Sequence, residues 1–204
     1  MRQMLNTAAY ALAVTLVAAP VAYAQSTQVP AEVKAGAYVL EPSHSKITWS
    51  VNHLGFSTYI GQFTGVAGTL KLDPKAVQAT DLQVTVTTAS VGTLNTALDN
   101  HLKAPDFLDA AKFPTATFKT TSVKLTGERT ADIAGDLTLR GVTKPIVIQA
   151  TFNRAGIAPT DGKYTVGFAG KAVLKRSDFG IKTYLPVLGD EVTLDLAAEF
   201  KPAP

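Results

Sequence analysis

The chain has 204 residues, 46% of them hydrophobic and 17% charged, with 19 Lys and Arg against 16 Asp and Glu. That length suits one domain or two small ones, and the apolar fraction is ample for a core. The formal net charge of +3 comes without a basic run, which removes the footprint a nucleic-acid binder needs; the absence of cysteine excludes disulfides, thiol nucleophiles, thiolate zinc sites and a lipidated cysteine anchor.

Met1–Ala24 carries one positive charge, at Arg2, and an apolar stretch from Ala8 to Ala19. It closes on Ala22-Tyr23-Ala24, the small-x-small pattern of a cleavage site. The stretch is shorter than the ~20 apolar residues of a membrane-spanning helix. The segment therefore reads as an export signal cleaved before Gln25, with the periplasm as destination. Gln25–Ala37 has no periodicity and reads as a flexible leader, and Tyr38–Pro204 as a single domain.

From Tyr38 onward the dominant signal is period two, the mark of strands buried on one face. In Lys46–Asn52 the apolar set is Ile47, Trp49 and Val51. Next, Phe63 sits on an odd position while Val66, Leu70 and Leu72 are even, with Gly61, Gly65 and Gly68 among them. The flip predicts a bulged or sharply coiled strand. Leu82, Val84 and Val86 alternate with polar residues. Thr93–Phe113 departs from strand logic: Leu94, Leu98 and Leu102 keep helical spacing up to Pro105, which predicts two short helices, with Asp106 at the start of the second. Between Phe118 and Val123 the parity shifts again, predicting a second bulge. Ile133, Leu137 and Leu139, then Ile146, Ile148, Ala150 and Phe152, form two further apolar faces. Tyr164 to Leu174 and Val192 to Phe200 make the last two. Short polar turns separate them, among them Asp73-Pro74, Thr126-Gly127, Arg140-Gly141 and Asp161-Gly162. About eight one-faced strands require either a sandwich or a sheet closed on itself. An eight-stranded barrel is filled by its own side chains or shares its interior with a small ligand, and periodicity leaves both open.

Six ordered pieces carry a resemblance. They are Pro42-Ser43-His44-Ser45 leading to Val51-Asn52-His53, Gly61-Gln62-Phe63, Asp99-Asn100-His101-Leu102-Lys103, Lys112-Phe113-Pro114-Thr115-Ala116-Thr117-Phe118, Gly135 through Pro145, and Arg176-Ser177-Asp178-Phe179-Gly180. In this order the chain resembles the YceI-like family of exported bacterial proteins. The resemblance implies an all-β fold, an extended lipocalin-like antiparallel eight-stranded barrel with a short helical insert. It further implies an apolar tunnel for a long isoprenoid or similar amphiphilic lipid, with no catalytic activity and no cofactor. Transient contact with a membrane surface and pairing of two copies are compatible with it. One departure stands out: members often carry an Arg just before the Asp-x-His-Leu piece, where this chain has Ala97 and Leu98.

If the tunnel is hollow, the inward side chains are the tail contacts. On the first strands these are Trp49, Val51, Phe63, Val84 and Val86. Phe118, Leu137, Leu139, Ile146 and Ile148 follow, and then Phe168, Leu174 and Leu194. Five polar residues are candidates for a headgroup. His53 shares parity with Trp49 and Val51, so it either meets a headgroup at the tunnel mouth or is satisfied by backbone. His44, an odd number of residues away, points outward toward Ser43 or Ser45. Arg176 shares parity with Phe168 and Leu174; it either latches onto Asp178 or meets a phosphate or carbonyl. Asp99 and His101 lie on the helical insert, where they cap a helix or reach the barrel mouth. No Gly-x-Ser-x-Gly elbow and no phosphate loop occurs. Two rival readings remain: an enzyme using His53, His101 and Asp99 on a lipid headgroup, and a filled barrel acting through an exposed apolar patch.

Overall fold

A computed structural model describes residues 26–204, so the export-signal reading of Met1–Ala24 lies outside the described residues. Twelve strands and one α-helix follow in chain order: β1 (Ser26–Thr27), β2 (Gly36–Leu40), β3 (Lys46–His53), β4 (Ser57–Phe63), β5 (Val66–Leu72), β6 (Asp81–Thr87), β7 (Val91–Gly92), α1 (Thr96–Lys103), β8 (Thr115–Leu125), β9 (Thr130–Leu139), β10 (Val142–Ile157), β11 (Tyr164–Lys175) and β12 (Leu188–Pro202). None of the described helices is long and apolar enough to cross a membrane.

All pairings are antiparallel, and β2, β5, β6, β8, β9, β10, β11 and β12 close into a ring of eight. Closure disposes of the edges of these eight strands, while β4 and the two-residue β1 and β7 lie outside the ring. A 15-residue strand, β12, explains the barrel's extension. β12 pairs with β2 through Phe200–Pro202 and with β3 through Leu188–Ala197, so β2 and β3 act as one strand broken at residues 41–45. At that break Glu41 N donates to Glu199 O at 2.8 Å, and Ser45 Oγ accepts Glu199 N at 3.0 Å. The buried Ser45 hydroxyl thus takes over a ladder bond that the kinked backbone cannot make.

The parity flip between Phe63 and Val66 has the same origin. It is a break between two strands and not a bulge within one: β4 pairs with β3 and β7, while β5 pairs with β2 and β6. Gly65 permits the step, because a Cβ there would lie 2.9 Å from Ser90 Cβ and 3.0 Å from Thr87 Cβ. The bulge predicted after Phe118 is present as a register shift between Thr120 and Ser122. Arg140 and Gly141 form a two-residue hairpin turn, both with positive φ (53° and 75°).

Two segments differ from their sequence-based expectation. Only one helix forms between Thr93 and Phe113. The chain after Pro105 folds back under α1, so that Leu108 N, Asp109 N and Ala110 N donate to Leu102 O, Ala104 O and Lys103 O. These donors satisfy carbonyls left over at the helix end, and the left-handed Asp109 (φ 49°) they require stops a second helix. The leader is also structured. Ser26 and Thr27 pair with Gly156 and Ala155, Pro30–Glu32 makes a 3-10 turn, and Val33 is 5% exposed. Tyr38 Oη donates to Lys34 O, and Lys34 N donates to Tyr164 Oη at 3.2 Å.

Side chains inside the barrel form two clusters at different levels. Val33, Tyr38, Leu40, Val66, Leu70, Phe152, Val166 and Phe200 pack at the end where the leader lies. Trp49, Val91, Phe107, Leu108 and Ile181 pack at the end covered by the insert. Together they set what the interior has room for.

Candidate functional site

Around the leader-end cluster the side chains stop short of filling the barrel, leaving a cavity of about 230 Å³. Its wall is almost entirely apolar. Val84, Val86, Phe118, Leu137, Ile146, Ile148, Phe168 and Leu194, all inward by parity, line it. So do Leu40, Ile47, Leu70, Leu82, Phe152 and Phe200, which the same alternation places inside. Pro30 and Val33 of the leader and Pro74 and Val77 of the β5–β6 connection also line it, and no periodicity pointed to them. Small residues, Ala116, Ala150, Gly170 and Ala172, are part of the wall.

Five of the proposed tail contacts do not line this cavity. Trp49, Val51, Phe63 and Leu139 belong to the insert-end cluster. Leu174, paired with Val192, lies beyond the cavity near Phe179, at the exit from β11. Parity reports which face a residue occupies but not its height along the axis.

The polar residues at the cavity's leader end are Thr80, Glu128, Arg129 and Thr130. Arg129 Nε and Nη2 donate to Phe152 O at 3.0 and 2.9 Å, so the guanidinium clips the β8–β9 turn to β10. Thr80 Oγ1 is buried without a hydrogen-bond partner.

None of the headgroup candidates reaches the cavity. His53 is exposed at the end of β3, its ring 6.0 Å from that of Tyr59, where the pairing with β12 shifts register between Leu188 and Val192. Asp99 accepts from Thr93 N and Oγ1 at 2.7 and 2.6 Å, tying α1 to the strand before it. His101 Nε2 lies 3.1 Å from Asp106 Oδ2, and its ring sits edge-on to Phe107 at 4.9 Å. Arg176 is 5% exposed and makes no latch with Asp178, which is exposed. Its guanidinium donates to the carbonyls of Gly189, Ile181, Thr183 and Leu188 at 2.8–3.1 Å. Burial lowers its pKa, partly offset by Asp190. The Asp190 carboxyl, which burial would raise, is held below its usual value by the Ser177 hydroxyl and amide and by Arg176. All five candidates stand at the insert end, away from the polar end of the cavity.

His44 points outward as parity predicts, but its partner is a carboxylate and not a serine: Nδ1 is 2.7 Å from Glu41 Oε2 and 3.7 Å from Glu199 Oε2. The three ligand atoms fall within 4.8 Å of one another on the outer surface. The Glu41 carboxylate is already engaged by the amides of Ser43 and His44, at 3.2 and 2.9 Å.

The YceI-like domain matches residues 38–200 of the chain, spanning every strand of the closed ring. This chain is a member of the YceI-like family. A UPF0312 protein of Pseudomonas savastanoi pv. phaseolicola is 44% identical over 172 residues, covering 83% of this chain and 88% of the relative. One from Azotobacter vinelandii is 41% identical over 170 residues, covering 82% and 88%. Among solved structures, the Campylobacter jejuni YCEI protein superposes with a TM-score of 0.67 at 32% identity, over 74% of this chain and 90% of that one. Burkholderia cenocepacia BcnA reaches 0.71 at 22% identity (78% and 98% covered). A polyisoprenoid binding domain from Saccharophagus degradans reaches 0.61 at 15% (83% and 100%), and these last two speak to the fold alone. Within this YceI-like chain, the motif residues Ser45 and Arg176 hold strand breaks and loops together. Their work is architectural.

Proposed function

We propose that the protein binds a single-chain amphiphilic lipid of isoprenoid type, tail in the cavity, and carries it reversibly in the periplasm. The observation that supports the reading is the unfilled apolar space of about 230 Å³ inside a closed barrel. A filled interaction module would have no such space. The enzyme reading loses its basis, since His53, His101 and Asp99 do not converge on the cavity. The Saccharophagus degradans domain is by name a binder of polyisoprenoids, which agrees in chemistry. Export rests on the Met1–Ala24 pattern.

Energetics favour exchange over storage. Water-to-cavity transfer is worth ~0.8 kcal/mol per CH₂, but a lipid in a bilayer is already out of water. Membrane-to-protein transfer therefore nearly cancels the hydrophobic contribution, leaving packing, headgroup hydrogen bonds and lost chain entropy to decide. A carrier of this kind meets a membrane surface briefly to load and unload. At the cavity's leader end Thr80, whose Oγ1 is buried without a hydrogen-bond partner, is the group placed to meet the ligand's polar atom. Protein purified from its native compartment without detergent, then extracted with solvent and analysed by mass spectrometry, should yield a stoichiometric prenyl lipid. A chain beginning at Gln25 should be found in the periplasmic fraction. Protein that repeatedly comes out empty and takes up no added prenol would overturn the lipid reading.

A further inference from the structure

We propose that Trp49 is the floor of the cavity and sets the length of lipid tail the protein accepts. This rests on the lipid-binding reading and adds a specificity determinant to it.

The cavity ends at a definite level. Ile47 lines it, and Trp49, two residues along the same face of β3, does not. Leu194, the cross-strand partner of Trp49, is in the wall, as is Ala172, the partner of Leu194 on β11. One step along β3 from Ile47, at the level of Leu194, the indole is 8% exposed and packs with Val91, Phe107, Leu108 and Ile181. Along β12 the wall runs from Leu194 to Phe200. That is about 20 Å of strand, or about 15 Å of axis once strand tilt is included.

Below the indole the interior remains apolar. Val51, Phe63, Leu139, Leu188 and Val192 continue the inward face, so chemistry does not end the cavity there. The indole is the side chain of the packed insert-end cluster that stands next to the cavity wall at Ile47 and Leu194. It lies over Gly61, its cross-strand partner on the adjacent β4, where any Cβ would collide with Cζ2 and Cε2. A glycine at that place makes the recess for an indole. Trp49 Nε1 is buried without a hydrogen-bond partner, so packing alone holds the ring in position. Ring size at position 49 therefore decides where the packed half of the barrel begins, and with it the depth open to a tail.

The full chain and two sets of variants test this with all-trans prenols of increasing length (geraniol, farnesol, geranylgeraniol, solanesol), using calorimetry or native mass spectrometry. In the unaltered protein, affinity should climb with length and then level off. Trp49 is the only tryptophan in the chain, so its emission should shift first at the homologue where the plateau begins. Trp49→Ala should move the plateau to a longer homologue, which then binds about tenfold more tightly than to the unaltered protein, the gain expected from two or so further buried methylenes. Trp49→Leu serves the same purpose if the alanine variant does not fold. Ala172→Leu, which narrows the cavity at the same level from β11, two strands from Trp49, should move the plateau to a shorter homologue. Plateaus unchanged in the Trp49 and Ala172 variants, with short prenols still bound, would overturn the floor assignment and leave the lipid reading standing. Failure of the unaltered protein to bind any prenol would overturn both.

Discussion

Four backbone carbonyls converge on Arg176, and no carboxylate forms an ion pair with it among the described residues. A guanidinium is suited to this, since its planar fork presents five donors that an ammonium cannot match. It closes the loop between β11 and β12 around one buried charge. Arg176→Ala would strand several buried acceptors at once, and a loss of about 3 kcal/mol is expected. In a chain of this size that is a fall in melting temperature of about 10 °C. Arg176→Lys should recover only a minor part of it. Differential scanning calorimetry of the variants measures both. Asp190 adds a pH dependence to the same loop. Its carboxyl is depressed in the folded state by the Ser177 hydrogen bonds and by Arg176, against the opposing effect of burial. The corresponding stabilisation is complete above the unfolded value of ~4 and disappears as pH falls through the lower folded value. Asp190→Asn should therefore destabilise at neutral pH and flatten the acid limb of a stability–pH curve; an acid limb as steep as the parent's would contradict this. Parity correctly turned Arg176 inward. Its partners were illegible because carbonyls belong to every residue and leave no mark in side-chain identity.

Elements were legible in type and less so in extent. Alternation along Lys46–Asn52, Asp81–Thr87 and Val192–Phe200 corresponds to β3, β6 and β12. Period two survives there because one face of each strand meets the barrel interior and the other meets water. The parity flip at Phe63–Val66 was visible as a fault, but its meaning depends on partners. Only the pairing of β4 with β3 and of β5 with β2 shows that the sheet changes neighbours at Thr64 and Gly65. The same holds after Pro105. Local composition favours a helix there, and the open carbonyls of α1 draw the backbone into turns instead. Residues 26–37 had no pattern to read, since a short strand and a 3-10 turn are held by contacts more than 100 residues distant, such as Lys34 with Tyr164.

At the scale of the whole molecule, the barrel is divided by level: a cavity toward the leader, packed side chains toward the insert. A ligand that fills the first half removes an internal void and stabilises the fold by mass action. At a hundredfold excess over its dissociation constant the gain is about 2.7 kcal/mol. Stripping lipid from the protein should thus lower its melting temperature by about 5–10 °C, and re-adding the extracted lipid should restore it. Calorimetry before and after extraction reads this directly; an unchanged melting temperature in protein shown to have lost a bound lipid would contradict it.

By itself the amino-acid sequence determined the strand content, the inward-facing set, the helical insert and, through six ordered motifs, the resemblance to YceI-like proteins. Those are local properties, written in alternation and in short runs of residue types. Tertiary structure alone decided the closure of eight strands, the height at which the cavity begins and ends, and the removal of His53, His101 and Arg176 from it. Height along an axis depends on register between strands far apart in the chain, and register is set by the packing of all the faces together.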